Sequence, residues 1–144
     1  RKEGMNVSEM LTYLNKKCGM LGVSGVSSDF RDLTAEAEKG NKRAQLALDM
    51  FSYACKKYVG AYAAAMNGLD CVVFTAGVGE NTPVVRSAIC KDMEYLGLEI
   101  DEEKNLSKND GSIRDITGKN SKVRVLIIPT NEELVIARET LALV

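Results

Sequence analysis

The residues best suited to chemistry lie in Asp70-Cys-Val-Val-Phe-Thr-Ala-Gly-Val-Gly-Glu-Asn-Thr-Pro83. An apolar run, Cys71–Phe74, breaks at Thr75 into Gly77 and Gly79, and Pro83 opens a helical pattern. Strand, glycine turn and helix start in that order place backbone N–H groups where a phosphate or nucleotide can approach. Position 82 is Thr, so the third Gly of G-x-G-x-x-G is missing, and no G-K-[ST] follows. Both facts argue against a dinucleotide fingerprint and a P-loop. Pro83 pushes Thr82 to extended geometry, which suits an N-cap with Pro at N1, and Asn81 is left outside the helix to bond something else. On residue types alone a ligand-binding turn and a plain tight turn are equally open.

Glu132 and Glu133 form the second candidate. Thr130-x-x-Glu133 reads as a capping box, which uses Glu133 and leaves Glu132 uncommitted at the carboxyl end of a strand. A carboxylate there can hold Mg²⁺ directly or through water. The competing reading is that acidic residues favour helix N-termini through the dipole. The third candidate is Asp29-Phe30-Arg31. Arg and Phe can stack on a base and Asp can bond a ribose hydroxyl. A helix start with a surface ion pair and one core Phe accounts for the same residues.

Composition narrows the classes. The chain has 144 residues, no His, 45% hydrophobic and 27% charged residues, and a net charge of -1. That is the length and balance of one ordinary globular domain, with no field to attract nucleic acid or an acidic membrane. No apolar run approaches the ~20 residues of a membrane span, and no secretory pattern opens the chain. The four cysteines, Cys18, Cys55, Cys71 and Cys90, lack C-x-x-C spacing. Without His, neither a zinc site nor His-based catalysis is expected. Cys55 and Cys71 sit in apolar patterns and read as buried, reduced thiols of a cytosolic protein. Arg1-Lys-Glu-Gly4 does not look like a natural start, since the first Met is Met5; the reading is a fragment of a longer chain.

The elements that must position these residues follow from periodicity. Asn6 with Glu9 caps a helix carrying Val7, Met10, Leu11 and Leu14, which Gly19 ends. Gly22–Ser28 reads as a small-residue loop, and Ser28 or Asp29 caps a helix to about Lys39. One long stripe (Ala44, Leu48, Phe51, Cys55, Tyr58, Tyr62, Ala65) predicts a helix over 41–67 whose face is core, with Gly60 as a site of close packing or a kink. Val84–Tyr95 reads as helix, Leu96–Ile100 as a short strand, and Asp101–Asn105 as a turn or brief helix. Asp110-Gly111 and Thr117-Gly118 bracket a small edge strand. Val123–Ile128 is too continuously apolar for an exposed face and suits an inner strand of a parallel sheet. A last helix carries Leu134, Ala137 and Leu141. Two strong strands are few for a free-standing sheet, so the α/β sheet is expected to be incomplete, with an edge that something must cover.

Three ordered motifs then carry a family resemblance: Gly22-Val-Ser-Gly-Val-Ser-Ser-Asp-Phe-Arg-Asp32, Asp70–Asn81, and Val125-Leu-Ile-Ile-Pro-Thr-Asn-Glu-Glu-Leu-Val-Ile-Ala-Arg-Glu-Thr140. Together they resemble the C-terminal part of the acetate kinase family over almost the whole chain. The resemblance implies an α/β fold, the C-terminal part of an actin-like ATPase domain (sugar kinase/Hsp70-type, ribonuclease H-like), helix-rich with an incomplete, mainly parallel sheet. It implies that residues 1–144 are a single C-terminal nucleotide-binding region of a longer two-domain kinase. The implied reaction is reversible transfer of the ATP γ-phosphate to acetate, giving acetyl phosphate and ADP with Mg²⁺, in a cytoplasmic homodimer. By motif, Gly77, Val78, Gly79, Glu80 and Asn81 would wall the adenosine pocket. Asp29, Phe30 and Arg31 would contact adenine and ribose, and Glu132 would organise Mg²⁺. No catalytic residue is assigned within the chain, because the family's catalytic arginines, aspartate and histidine lie upstream of the matched region; the fragment alone is expected to be inactive. A non-catalytic nucleotide-binding or dimerisation module, or a propionate or butyrate kinase, are the alternatives.

Overall fold

The computed structural model describes residues 4–144, so most of the Arg1–Gly4 opening lies outside the described residues. The chain divides into two compact units, one ending at Ala65 and the other spanning Met66–Val144.

The first unit is helical. Helix α1 (Val7–Lys17) opens on the expected reciprocal cap: Asn6 Oδ1 accepts from Glu9 N–H at 3.0 Å, and Glu9 Oε2 accepts from Asn6 N–H at 2.8 Å. Gly19 ends that run at φ 63, but it also begins a second helix, α2 (Gly19–Ser24), where a loop from Gly22 was expected. The reason is tertiary. The Arg43 guanidinium donates to the carbonyls of Val23 at 2.8 Å and Gly22 at 3.1 Å, supplying partners that a short helix's last carbonyls otherwise lack. Helix α3 (Phe30–Glu38) is capped by Asp29, and α4 (Lys42–Ala65) runs unbroken through Gly60.

The stripe on α4 is core only over its first half. Ala44, Ala47 and Leu48 are buried with Leu33 of α3, and Phe51 is half-buried. Tyr58 and Tyr62 are instead exposed and stack on each other at 6.1 Å between ring centroids. Length explains the correction. A 24-residue helix is about 36 Å long, whereas α2 and α3, of 6 and 9 residues, span about 9 and 14 Å. The short helices cannot cover the long one.

The second unit is built on a three-stranded sheet. Strands β1 (Cys71–Phe74), β2 (Arg114–Asp115) and β3 (Arg124–Ile127) lie in the order β1-β3-β2. β1 and β3 pair in parallel, Cys71 opposite Arg124 through Phe74 opposite Ile127. β2 adds an antiparallel partner, so the small sheet is mixed. β3 is the inner strand its composition required, with Val125 and Ile127 fully buried. β1 is an edge among the described residues, and Cys71 on it is exposed, which corrects the buried thiol expected there. Cys55 is half-buried, and loss of water pushes its thiol pKa up.

Helices α5 (Ala76–Asn81), α6 (Pro83–Cys90), α7 (Glu102–Leu106) and α8 (Glu132–Leu143) complete the unit. α6 stops at Cys90 rather than near Tyr95, because Asp92 adopts φ 56 and the chain turns to bury Met93 and Leu98. The strand expected at 96–100 is also absent. Glu94–Leu96 is a single 3₁₀ turn, Gly97 sits at φ 77, and Ile100 makes one isolated bridge to Thr117. The brief helix expected from Asp101 forms, with Asp101 capping α7 through the Lys104 N–H. Every residue of α8 is exposed. Among the described residues, no helix is long and apolar enough to cross a membrane.

Candidate functional site

The glycine segment is not an open turn. Thr75 is extended, Ala76 takes the left-handed conformation at φ 58, and Ala76–Asn81 then coil as α5. The positive φ falls on the alanine, where an L side chain is strained, and not on either glycine. The glycines serve different purposes. A Cβ on Gly79 would lie 3.2 Å from the Phe74 carbonyl carbon and 3.5 Å from its Cα, so α5 packs on the strand it leaves only because that side chain is missing. A Cβ on Gly77 would meet nothing within 4 Å, so no intramolecular contact demands glycine there. Open space over Gly77 is what a closely approaching ligand requires.

These two positions can be separated by substitution. Gly79→Ala forces a methyl against the Phe74 backbone and is expected to destabilise the chain by about 1–3 kcal/mol. Gly77→Ala fills no occupied space and improves helix propensity, so stability should hold or rise by up to about 1 kcal/mol. Nucleotide affinity should nevertheless fall for Gly77→Ala. Chemical denaturation beside a binding titration checks both; equal affinity for Gly77→Ala and the parent would remove Gly77 from the pocket.

The exit of α5 is held by a buried polar network that local patterns did not reveal. Arg86, fully buried on α6, donates from Nη1 to the carbonyls of Gly79 at 2.7 Å and Glu80 at 3.1 Å. Its Nε and Nη2 donate to the side chain and backbone oxygens of Asn105, at 2.7 and 2.8 Å. Arg114 Nη2 donates to the Glu80 carbonyl as well, at 2.9 Å. Burial is the main cause that lowers the Arg86 pKa to about 10, and the like charge of Arg114 adds to it. The available sequence signal was Arg86 itself, which lies between Val85 and Ile89 on the apolar face of α6.

Asn81 bonds other groups, as its place outside α6 allowed. Its Nδ2 donates to the Gly77 carbonyl at 3.0 Å, and its Oδ1 accepts from Asn109 Nδ2 at 2.8 Å. Thr82 is the N-cap residue with Pro83 at N1, but its side chain makes no capping bond. Glu80 turns its carboxylate to Thr130, accepting from the N–H at 2.9 Å and the hydroxyl at 3.1 Å.

That contact also changes the reading of the last helix. Thr130 is occupied by Glu80, and Asn131 caps α8 instead, accepting from Leu134 N–H at 3.0 Å. The expected Thr130–Glu133 capping box does not form. Glu132 and Glu133 occupy the first two helical positions, both exposed and neither drawn into the cap. Elimination therefore no longer singles out Glu132. Among the described residues, no group of three or more His, Cys, Asp or Glu side chains could enclose a metal ion. The donors present suit Mg²⁺ only in its common mode, one or two carboxylates completed by phosphate oxygens and water.

In the first unit, Asp29 and Arg31 close on each other. Asp29 Oδ1 accepts from both the backbone N–H and the Nε of Arg31, at 2.8 and 3.0 Å, and Oδ2 accepts from Nη2 at 2.6 Å. Those bonds hold the Asp29 carboxyl down at about 2. The Arg31 side chain is 90% exposed. Phe30 packs edge-to-face on Phe51 at 4.7 Å, so its ring serves the unit's core. Gly77–Asn81 and Glu132 belong to the second unit, where the Glu80–Thr130 contact ties α5 to the segment that leads into Glu132.

Known proteins resemble this chain closely. The sequence model of the acetokinase family matches residues 1–138. Acetate kinase of Heliobacterium modesticaldum is 57% identical over 139 residues, which is 96% of this chain and 34% of that protein. The crystal structure of Porphyromonas gingivalis acetate kinase superposes with a TM-score of 0.87 at 47% identity, over 98% of this chain and 35% of that one. A propionate kinase structure from Francisella tularensis superposes at 0.81 with 39% identity, over 95% of this chain and 34% of that one. The chain spans about a third of the length of the relatives it matches.

Proposed function

This chain belongs to the acetokinase family, and we propose that it forms the single C-terminal nucleotide-binding region of a longer two-domain kinase. Its fold is that of the acetate kinases, a portion of the actin-like ATPase fold. The proposed reaction is reversible transfer of the ATP γ-phosphate to acetate, giving acetyl phosphate and ADP, in a cytoplasmic enzyme. The observation that carries the nucleotide reading is the open approach over Gly77 on α5, at the carboxyl end of β1, where open α/β sheets take ligands.

In this reading Gly77, Val78, Gly79, Glu80 and Asn81 wall the adenosine pocket, and Asp29, Phe30 and Arg31 serve the base and ribose. Glu132 contributes a carboxylate to Mg²⁺, which neutralises phosphate charge when bound. The bonded, low-pKa Asp29 stays ionised at neutral pH and offers acceptors only, which suits hydroxyl donors of a ribose. Phosphoryl transfer itself depends on positioning and charge stabilisation, and no residue of this chain is assigned to it. Homodimer formation is part of the proposal, supported by the exposed apolar faces of α4 (Tyr58, Tyr62) and α8 (Ile136, Leu141).

The test is acyl phosphate formation by the longest reading frame containing these residues, with ATP and Mg²⁺ and with acetate or propionate as acceptor. Acetate should be the better acceptor. No acyl phosphate with either would overturn the proposal. Preference for propionate would favour the second reading, which the likeness to a propionate kinase supports.

A further inference from the structure

The Glu80 side chain is the one member of the proposed pocket wall whose charged group points to a distant part of its own unit. Its Oε1 receives both the N–H and the hydroxyl of Thr130, fifty residues further along. Thr130 lies two residues before Glu132, in the turn between β3 and α8. α5 itself cannot drift, because Arg86 and Arg114 grip its last carbonyls. A rigid α5 thus holds one oxygen atom that fixes the start of an otherwise exposed segment.

We propose that Glu80 is a positioning residue: its carboxylate clasps Thr130 and so sets where Glu132 stands relative to the glycine helix. This rests on the nucleotide reading above and sharpens one part of it, since Glu80 then acts through Thr130 and not on the nucleotide. The chemistry selects the assignment. A backbone N–H and a hydroxyl from one residue, both received by Glu80 Oε1, fix both position and orientation of a turn. Outer partners of this kind commonly change metal affinity by about 10- to 100-fold without touching the ion.

The experiment is a titration of the full reading frame with a fluorescent ADP analogue, with and without Mg²⁺. Glu80→Ala should weaken Mg²⁺-dependent binding about tenfold, and by more than it weakens Mg²⁺-free binding. Glu80→Gln should recover most of the loss, because its side-chain oxygen still accepts both bonds. Thr130→Val removes the hydroxyl bond but keeps the backbone N–H bond, so it should weaken binding less than Glu80→Ala does and add nothing in the Glu80→Ala background. Glu80→Gln as weak as Glu80→Ala would mean the charge itself is used and overturns the clasp. Equal losses without Mg²⁺ would mean direct nucleotide contact and also overturn it, as would unchanged binding by Glu80→Ala. Failure of the parent to bind the analogue at all is a different result, and it counts against the nucleotide reading instead.

Discussion

Arg86→Met is expected to lower the unfolding free energy by about 3–5 kcal/mol, the scale for removing one partner from a buried charged network. Arg86 is fully buried on α6 and makes four polar contacts there. Methionine replaces much of its volume but leaves the Gly79 carbonyl and both Asn105 oxygens without that donor, and each buried acceptor so stranded costs about 1–3 kcal/mol. The Glu80 carbonyl is spared, because Arg114 also donates to it. Arg86→Lys should rescue little: one ammonium cannot reach both Gly79 and Asn105 in the fork geometry that guanidinium supplies. The pH dependence adds a check. The folded-state pKa is lowered to about 10 by burial. Below that value the guanidinium is charged in both states, so burial opposes folding equally at every lower pH. Only as pH rises past about 10 does the folded state release its proton first and recover some of that penalty. The difference between parent and Arg86→Met should therefore be flat from about pH 6 to 9. Urea unfolding across that range measures it, and a loss under about 1 kcal/mol would show the network to be dispensable.

Glu132→Ala in the full reading frame is expected to reduce kinase turnover by about 10- to 100-fold at limiting Mg²⁺, with partial recovery as Mg²⁺ is raised. Glu133→Ala should change turnover by less than about threefold. The pairing matters because the structure makes both carboxylates equally available: Asn131, not Thr130, caps α8. Family resemblance selects Glu132, and local geometry no longer does. Steady-state kinetics against Mg²⁺ concentration distinguishes the two residues. Unchanged activity of Glu132→Ala would remove it from the site, and equal losses for both variants would assign the effect to the helix terminus as a whole.

Much of the second unit was legible from residue types. β1 and β3 are short apolar runs bounded by breakers, and Pro83 stands at the first position of α6. The same reasoning failed at 96–100, where an apolar run is spent on burying Leu98 after a glycine turn at Gly97. It failed again at Thr130, whose capping-box pattern is intact in sequence. Local propensity treats Thr130 as the best available cap. Glu80, fifty residues away, competes for the same N–H and wins.

The candidate site divides along the same line. A cap at Ser28 or Asp29 and a core Phe follow from residue types and spacing; the structure selects Asp29 and leaves the Phe30 ring half-buried on Phe51. By itself the amino-acid sequence determined the two apolar strands β1 and β3, the inner place of β3, the Asn6 cap, and the family. Each of these depends on interactions within a few residues, or on motifs whose identity survives without geometry. Only the tertiary structure decided that the glycine segment is a helix, that Gly79 is glycine for packing while Gly77 faces open space, and that Asn81 and Glu80 are bonded to distant partners. Those outcomes turn on atoms brought together from far along the chain, where a carbonyl or carboxylate takes whichever donor the fold delivers.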